Sequence, residues 1–307
     1  MRTVSAIKNI NSTLIVYGLN MVLQFIIRFV LLYYLSIEYL GLNGLFDNIL
    51  TVLSLTELGI GPAIIFSLYS PLANHDLETA KSIMRIFKKA YIYIGTLIQF
   101  LGLCISPFVQ YLIKVPPNIA YLNIFFLLFV VDTGISYFYS YKKCLLIADQ
   151  KQYIANYYRG ITQLIGSLFQ IALVILTHSF WVYIILRICM TFSENFLIAR
   201  KADHLYSFLN EKNIQPLNKD IYQNIIRNIK ALILHKIGGV TVFGTSNIIL
   251  SKFVGLSAVA LYTNYYLIIN GIDKLSDQVF NALKASVGNL NESHDDAHKL
   301  VIFKRLE

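Results

Sequence analysis

The sequence predicts an all-α integral membrane protein of about 8 transmembrane helices, arranged as one six-helix lobe followed by the first two helices of a second lobe. Three observations predict it. Eight apolar stretches of about 20 residues each run along the chain, at residues 13–35, 43–70, 90–113, 118–141, 160–177, 181–199, 231–250 and 257–283. Twenty helical residues rise about 30 Å, the thickness of a bilayer's hydrocarbon core. Mean hydropathy is +0.58, with 56% hydrophobic and only 14% charged residues, more apolar surface than a soluble core of 307 residues would bury. The basic residues also alternate from loop to loop. The N-terminus, the loops after spans two, four and six, and the tail hold 20 of the 26 Lys and Arg, while the other four loops hold only Lys114 and Lys252. The positive-inside rule then puts both termini in the cytoplasm. The remaining four, Arg28, Arg187, Lys236 and Lys274, fall inside spans.

Each span has its own signals. Span one follows a short basic segment and has no small-residue cleavage site after it, so it is expected to stay as a signal anchor. Asn20, Gln24 and Arg28 recur in it at i, i+4 and i+8, within about 80° on a helix. Span two carries Asp47, Thr51 and Ser54 at helical spacing, with Glu57 further round. Gly59-Ile60-Gly61-Pro62 then interrupts it; a break at this depth frees backbone groups that a cavity or neighbouring helices must satisfy. Pro107 is expected to bend span three. Span four presents Asp132, Ser136 and Ser140, and span five Gln163, Ser167 and Gln170. The turn His178-Ser179-Phe180 joins it to span six, which presents Arg187, Thr191 and Glu194. Span seven holds adjacent His235 and Lys236. Span eight holds Asn270, Asp273 and Asp277 with Lys274 beside them.

The domain division follows: 1–200 as the first lobe, 201–230 as a polar, basic cytoplasmic joint, and 231–307 as the opening of a second lobe with a cytoplasmic tail. The joint contains Pro216 and an amphipathic stretch, Ile221 to Ile229, suited to a membrane surface. A shift of 219 residues sets Leu35–Asn43 against Val254–Tyr262 with apolar positions in correspondence, as an internal repeat would.

Helices facing only lipid need no polar stripe, whereas those lining water do. A charge near the bilayer centre costs about 2.5–3.5 kcal/mol on the insertion scale, so Arg28 and Asp132 are expected to share a hydrated interior. Arg28 is the first choice for binding an anion, because a guanidinium fork matches phosphate oxygens. Arg187 joins it, or else pairs with Glu194 two turns on. Lys236, Gln24 and Asn20 complete the candidate substrate site. Glu57, Asp132 and Asp273 are candidates for a coupling ion or for counter-charge. Asp47, Glu194, Lys236 and Asp277 sit nearer span ends, where long side chains reach the interface. The Ser and Gln stripes serve equally well as hydrogen-bonded packing between helices.

Several classes are excluded. The net charge of +9 lies beside the spans, where lipid headgroups and topology account for it, so nucleic acid is not a partner. Cys104, Cys144 and Cys189 have no metal or redox spacing, and neither a metal nor a cofactor is expected. No Walker A loop, Ser-His-Asp set, HExxH motif or TVGYG-like filter occurs, so the chain is read as a transporter and not an enzyme or a channel.

The segments Gly41-Leu42-Asn43-Gly44-Leu45-Phe46-Asp47, Glu57-Leu58-Gly59-Ile60-Gly61-Pro62-Ala63 and Ser67-Leu68-Tyr69-Ser70-Pro71-Leu72-Ala73 resemble the start of Wzx-type polysaccharide repeat-unit flippases. These belong to the multidrug/oligosaccharidyl-lipid/polysaccharide exporter superfamily. Asn247 to Leu256, Tyr262-Thr263-Asn264-Tyr265 and Ala285 to Leu290 resemble the opening of that family's second half, with Ser246 where an acid is common. The resemblance implies a two-lobed bundle around a central cavity in a bacterial plasma membrane. It implies alternating access that moves an undecaprenyl-diphosphate-linked oligosaccharide between leaflets, with H+ or Na+ as possible coupling cation. Against that plan the chain is read as truncated after span eight. A cation-coupled multidrug exporter and a non-transporting fragment are the alternatives.

Overall fold

The computed structural model describes residues 2–57, 59–115, 119–211, 215–217, 219, 221–230, 232 and 245–293. They are mostly helical, with no strand among the described residues. The helices are α1 (Arg2–Tyr34), α2 (Ile37–Leu53), α3 (Ile60–Ala73), α4 (Leu77–Ile105), α5 (Leu122–Ala148), α6 (Gln152–Thr177), α7 (Phe180–Leu205), α8 (Ser246–Phe253) and α9 (Leu256–Ser293). Residues 221–230 are helical as well, and 3-10 turns cover Ser54–Glu57, Ser106–Leu112 and Ser207–Asn210. The chain divides into two compact units, Met1–Tyr265 and Tyr266–Glu307, the boundary falling within α9.

Local chemistry explains the ends. Gly59 sits in the left-handed region at φ 78°, where a side chain would be strained, and a Cβ there would come within 2.7 Å of Leu232 Cβ. Glycine is thus required twice over, and the predicted interruption of span two is present between Glu57 and Ile60. Pro62 follows in the first turn of α3, where no backbone N–H is needed. Pro107 stands where α4 ends and the chain tightens into the Ser106–Leu112 turn. Asp76 caps α4, its side chain accepting a 3.0 Å hydrogen bond from the Thr79 N–H, which holds this carboxyl below its ordinary range.

Among the described residues five helical segments are long and apolar enough to cross a membrane: Lys8–Tyr34, Leu77–Leu112, Leu122–Ala148, Gln152–Thr177 and Phe180–Leu205. Their outer faces are apolar and exposed. Ile15, Phe29 and Tyr33 on α1 are 64–74% exposed, and Leu168, Phe169 and Leu176 on α6 are 56–75% exposed. Such continuous apolar faces would drive a water-soluble chain to aggregate. These segments fit a multi-pass membrane protein. The second sequence span is not one crossing helix but α2 and the shorter α3 on either side of the break. Most of the seventh span lies outside the described residues.

Two apolar clusters fill the ends of the first unit. One gathers Leu31, Phe46, Phe126, Phe129, Val174 and Ile184; Phe46 meets Phe126 and Phe129 edge-on at 5.4 and 5.3 Å. The other gathers Ile64, Phe87, Ile98, Leu145, Ala155 and Ile198. Ile225 is buried in the second cluster with Ile221 and Ile229 packed beside it, so the amphipathic stretch of the joint turns its apolar side onto protein. Along α5, α6 and α7 the clusters leave a polar layer between them.

Candidate functional site

That polar layer forms a cavity of about 290 Å³, room for about ten waters at liquid density. The stripes of spans one and five line it in full, and those of spans two, four and six in part. From α1 come Asn20, Gln24 and Arg28; from α2, Asn43 and Asp47; from α5, Asp132. From α6 come Gln163, Ser167 and Gln170; from α7, Tyr183, Arg187 and Thr191. Asp132 lies ten residues into α5, about 15 Å along its axis, well inside the apolar slab.

Arg187 organises the floor. Its Nε donates to Asp132 Oδ2 at 2.8 Å, its Nη2 to Asp47 Oδ1 at 2.8 Å and its Nη1 to Asn43 Oδ1 at 3.2 Å. Its Cζ rests 4.3 Å from the centre of the Phe129 ring. Tyr183 OH donates to the same Asn43 oxygen at 3.0 Å, and Asn43 Nδ2 to Asp47 Oδ2 at 3.3 Å. One guanidinium between two carboxylates leaves this group with one net negative charge. Asp132 is buried, and its Oδ1 has no hydrogen-bond partner among the described residues.

Arg28 stands apart from that network. Its Nη1 donates to Asn264 Oδ1 at 3.0 Å, and among the described residues no carboxylate lies within ion-pair distance. The cavity therefore holds one cation in direct ion pairs, Arg187, and one, Arg28, that no carboxylate touches and that feels Asp47 only at a distance. An anion entering it meets the donor fork of Arg28 on α1, which the Asn264 oxygen on α9 holds. The remaining stripes do two jobs. Gln170 Nε2 donates to the Tyr183 carbonyl at 2.8 Å, tying α6 to α7. Ser136 and Ser140 donate to carbonyls of their own helix, of Thr133 and Ser136, at 2.7 and 2.6 Å.

The structure brings together Asn20, Gln24, Arg28, Asp132 and Arg187 of the sequence-selected residues. Glu57 lies elsewhere, beneath the break between α2 and α3, where Tyr91 OH donates to its Oε1 at 3.2 Å and Tyr137 OH to its Oε2 at 3.1 Å. Asp273 is exposed on α9 in the second unit. Lys236 and His235 lie outside the described residues. Glu194 does not partner Arg187: two turns, about 11 Å, separate them along α7, and Glu194 faces Gln163 at 3.3 Å and Arg159 at 3.9 Å instead. Asp47 is not at a helix end. α2 begins at Ile37, so Asp47 lies ten residues in and pairs with Arg187.

Asn43 and Asn264 were not singled out as site residues. Asn43 precedes Asp47 by one turn and extends its stripe, a signal hidden by starting the span at residue 43. Asn264 carries no periodic signal of its own. Comparison with known protein families, with characterised proteins and with solved structures gives no match.

Proposed function

We propose that this chain is a membrane transporter of the Wzx flippase kind, moving an undecaprenyl-diphosphate-linked oligosaccharide repeat unit across a bacterial plasma membrane by alternating access. The observation that carries this reading is Arg28: an arginine in the polar layer, in no direct ion pair among the described residues and facing a cavity lined by amides and hydroxyls. A diphosphate accepts charge-assisted hydrogen bonds from this guanidinium. The Asn, Gln and Ser side chains supply the donors and acceptors that sugar hydroxyls need. The basic loops support cytoplasmic termini.

Within this reading Arg28 is the anion anchor and Asn264 holds its fork. Asp132 and Asp47 keep Arg187 in place as counter-charges, so Arg187 shapes the cavity more than it binds. Lys236 remains a proposed contributor from the opening of the second lobe. Glu57, under two tyrosine hydroxyls at the break, is proposed as a site for a coupling proton or Na+, separate from the substrate cavity.

Purified full chain in detergent, titrated with undecaprenyl diphosphate, tests the reading. Binding that Arg28→Ala weakens about 10- to 100-fold, the worth of a charge-assisted hydrogen bond, supports it. A second reading, a cation-coupled multidrug exporter, is favoured by the free Oδ1 of Asp132 and the 41% exposure of the Asp47 side chain. It expects the same cavity to bind an organic cation such as ethidium, with binding lost in Asp47→Asn and unaffected by Arg28→Ala.

A further inference from the structure

A second cavity, of about 460 Å³, opens between the first turns of α4 and the Ser207–Asn210 turn, outside the polar layer. Arg85, Lys88 and Lys89 line it, all exposed and at i, i+3 and i+4, so they share one helix face. Among the described residues none of the three has an ion pair or a hydrogen bond. Lys81, one turn earlier, is different: its ammonium is held by Glu78 at 2.7 Å and by Glu211. The acids of this pocket are thus spent on Lys81, and three like charges are left stacked on α4. Such a face repels itself unless an anion sits on it.

Much of the remaining lining is apolar. Met84, Tyr141 and Phe208 are buried behind the basic residues, and Ile92 continues the groove along α4, where the helix turns apolar. The wall is preformed. Ser82 Oγ donates to the Gln215 carbonyl at 2.7 Å, and Lys81 pairs with Glu211, so two described residues beyond the Ser207–Asn210 turn are tied to α4. The cluster lies just before the apolar run from Ala90 onward, which is the depth of lipid headgroups when α4 crosses a bilayer. We propose that this groove is a binding site for an anionic phospholipid, its phosphate on Arg85, Lys88 and Lys89 and the start of its acyl chains along Ile92 and the Met84–Phe208 wall. Charge complementarity fixes the headgroup class, and the apolar wall distinguishes a lipid from a free anion.

The full chain in detergent micelles, titrated with phosphatidylglycerol, phosphatidylcholine or inorganic phosphate and followed by native mass spectrometry, tests the site. Phosphatidylglycerol should be retained in preference to phosphatidylcholine. Each cation beside an anionic headgroup changes partition about fivefold, so the triple change Arg85→Gln, Lys88→Gln, Lys89→Gln should weaken phosphatidylglycerol about 100-fold at low salt. A triple change of equal charge, Lys219→Gln, Arg227→Gln, Lys230→Gln, should leave it unchanged, and Phe208→Ser should weaken it with the charges intact. Equal losses in the two triples, or equal retention of the two lipids, would overturn the proposal. So would inorganic phosphate displacing phosphatidylglycerol while Phe208→Ser has no effect, which would mark a free-phosphate site.

Discussion

Gly44 on α2 and Thr263 on α9 pack face to face: a Cβ at position 44 would come within 2.8 Å of Thr263 Cγ2. Residue 263 is residue 44 shifted by 219, the register in which Leu35–Asn43 overlies Val254–Tyr262. Arg28 and Asn247 stand in that register too, and each reaches across. Arg28 donates to Asn264, and Asn247 Nδ2 donates to the Gly44 carbonyl at 3.2 Å. Segments that meet at their own equivalent positions are what a local two-fold axis produces. The helix breaks before α2 and before α9 repeat as well, at Leu35-Ser36 and Val254-Gly255.

This close approach predicts the cost of a side chain at position 44. Gly44→Leu should lower stability by about 1–3 kcal/mol through overpacking, read as a lower melting temperature in detergent. Gly44→Ala should be milder, and Thr263→Ala should relieve part of it by withdrawing Cγ2. An unchanged melting temperature in Gly44→Leu would mean that α2 and α9 do not pack through these residues.

The two arginines of the cavity should behave in opposite ways. Arg187→Ala leaves Asp47 and Asp132 facing each other without a cation; losing one partner of a fully buried ion network costs about 3–5 kcal/mol, and with the Asp47 side chain 41% exposed the loss here falls at or below the lower end of that range. Combining it with Asp132→Asn should recover part of that loss. Arg28→Ala removes one charge-assisted hydrogen bond to an amide, leaves no carboxylate stranded, and should cost less, at most about 1.5–3 kcal/mol. Melting curves of the three variants decide this, and a larger loss in Arg28→Ala than in Arg187→Ala would invert the assignment of roles.

Much of this site was legible because helical periodicity survives in one dimension. Asn20, Gln24 and Arg28 share a face whatever they pack against, and the same holds for Gln163, Ser167 and Gln170. The break at Gly59 was legible because only glycine adopts its backbone without strain. Pairing between helices was not. Nothing in the spacing of Arg187 distinguishes Asp132 and Asp47 from Glu194; the choice follows from α5 and α2 lying against α7 at that level. Asn264 was hidden for the same reason, since its role depends on α9 meeting α1. Glu57 shared the composition of the cavity residues but not their level, and two tyrosine hydroxyls give it a site of its own.

Water should reach the cavity and not the apolar outer face. Cys104 and Cys189 are exposed and Cys144 is buried, so replacing the first two leaves a background for labelling. In vesicles, Thr191→Cys, on the cavity wall, should react with a charged methanethiosulfonate. Phe169→Cys, 61% exposed on α6, should not, because lipid keeps the thiol from ionising and the reagent from arriving. Equal labelling at both positions would place the α6 face in water and remove the case for a membrane protein.

Alkaline pH should unlock the end of α7. Tyr206, just past that helix, is 7% exposed, and its hydroxyl donates to Asp149 Oδ2 at 2.6 Å while Lys151 holds the same oxygen at 2.7 Å. Burial, then the adjacent carboxylate, raises the phenol above its ordinary value of 10.0. The sign follows directly. Above about pH 10 the unfolded chain releases this proton and the folded chain retains it, so stability is complete below that value and falls as pH rises further. Tyr206→Phe should cost about 1 kcal/mol near neutrality through the lost hydrogen bond, and should lose less than the parent between pH 9 and about pH 11. Melting temperatures of both proteins across that range measure the difference. Because the other tyrosines titrate alike in both, converging curves isolate Tyr206, and parallel curves would show that its hydroxyl is already free to ionise in the folded state.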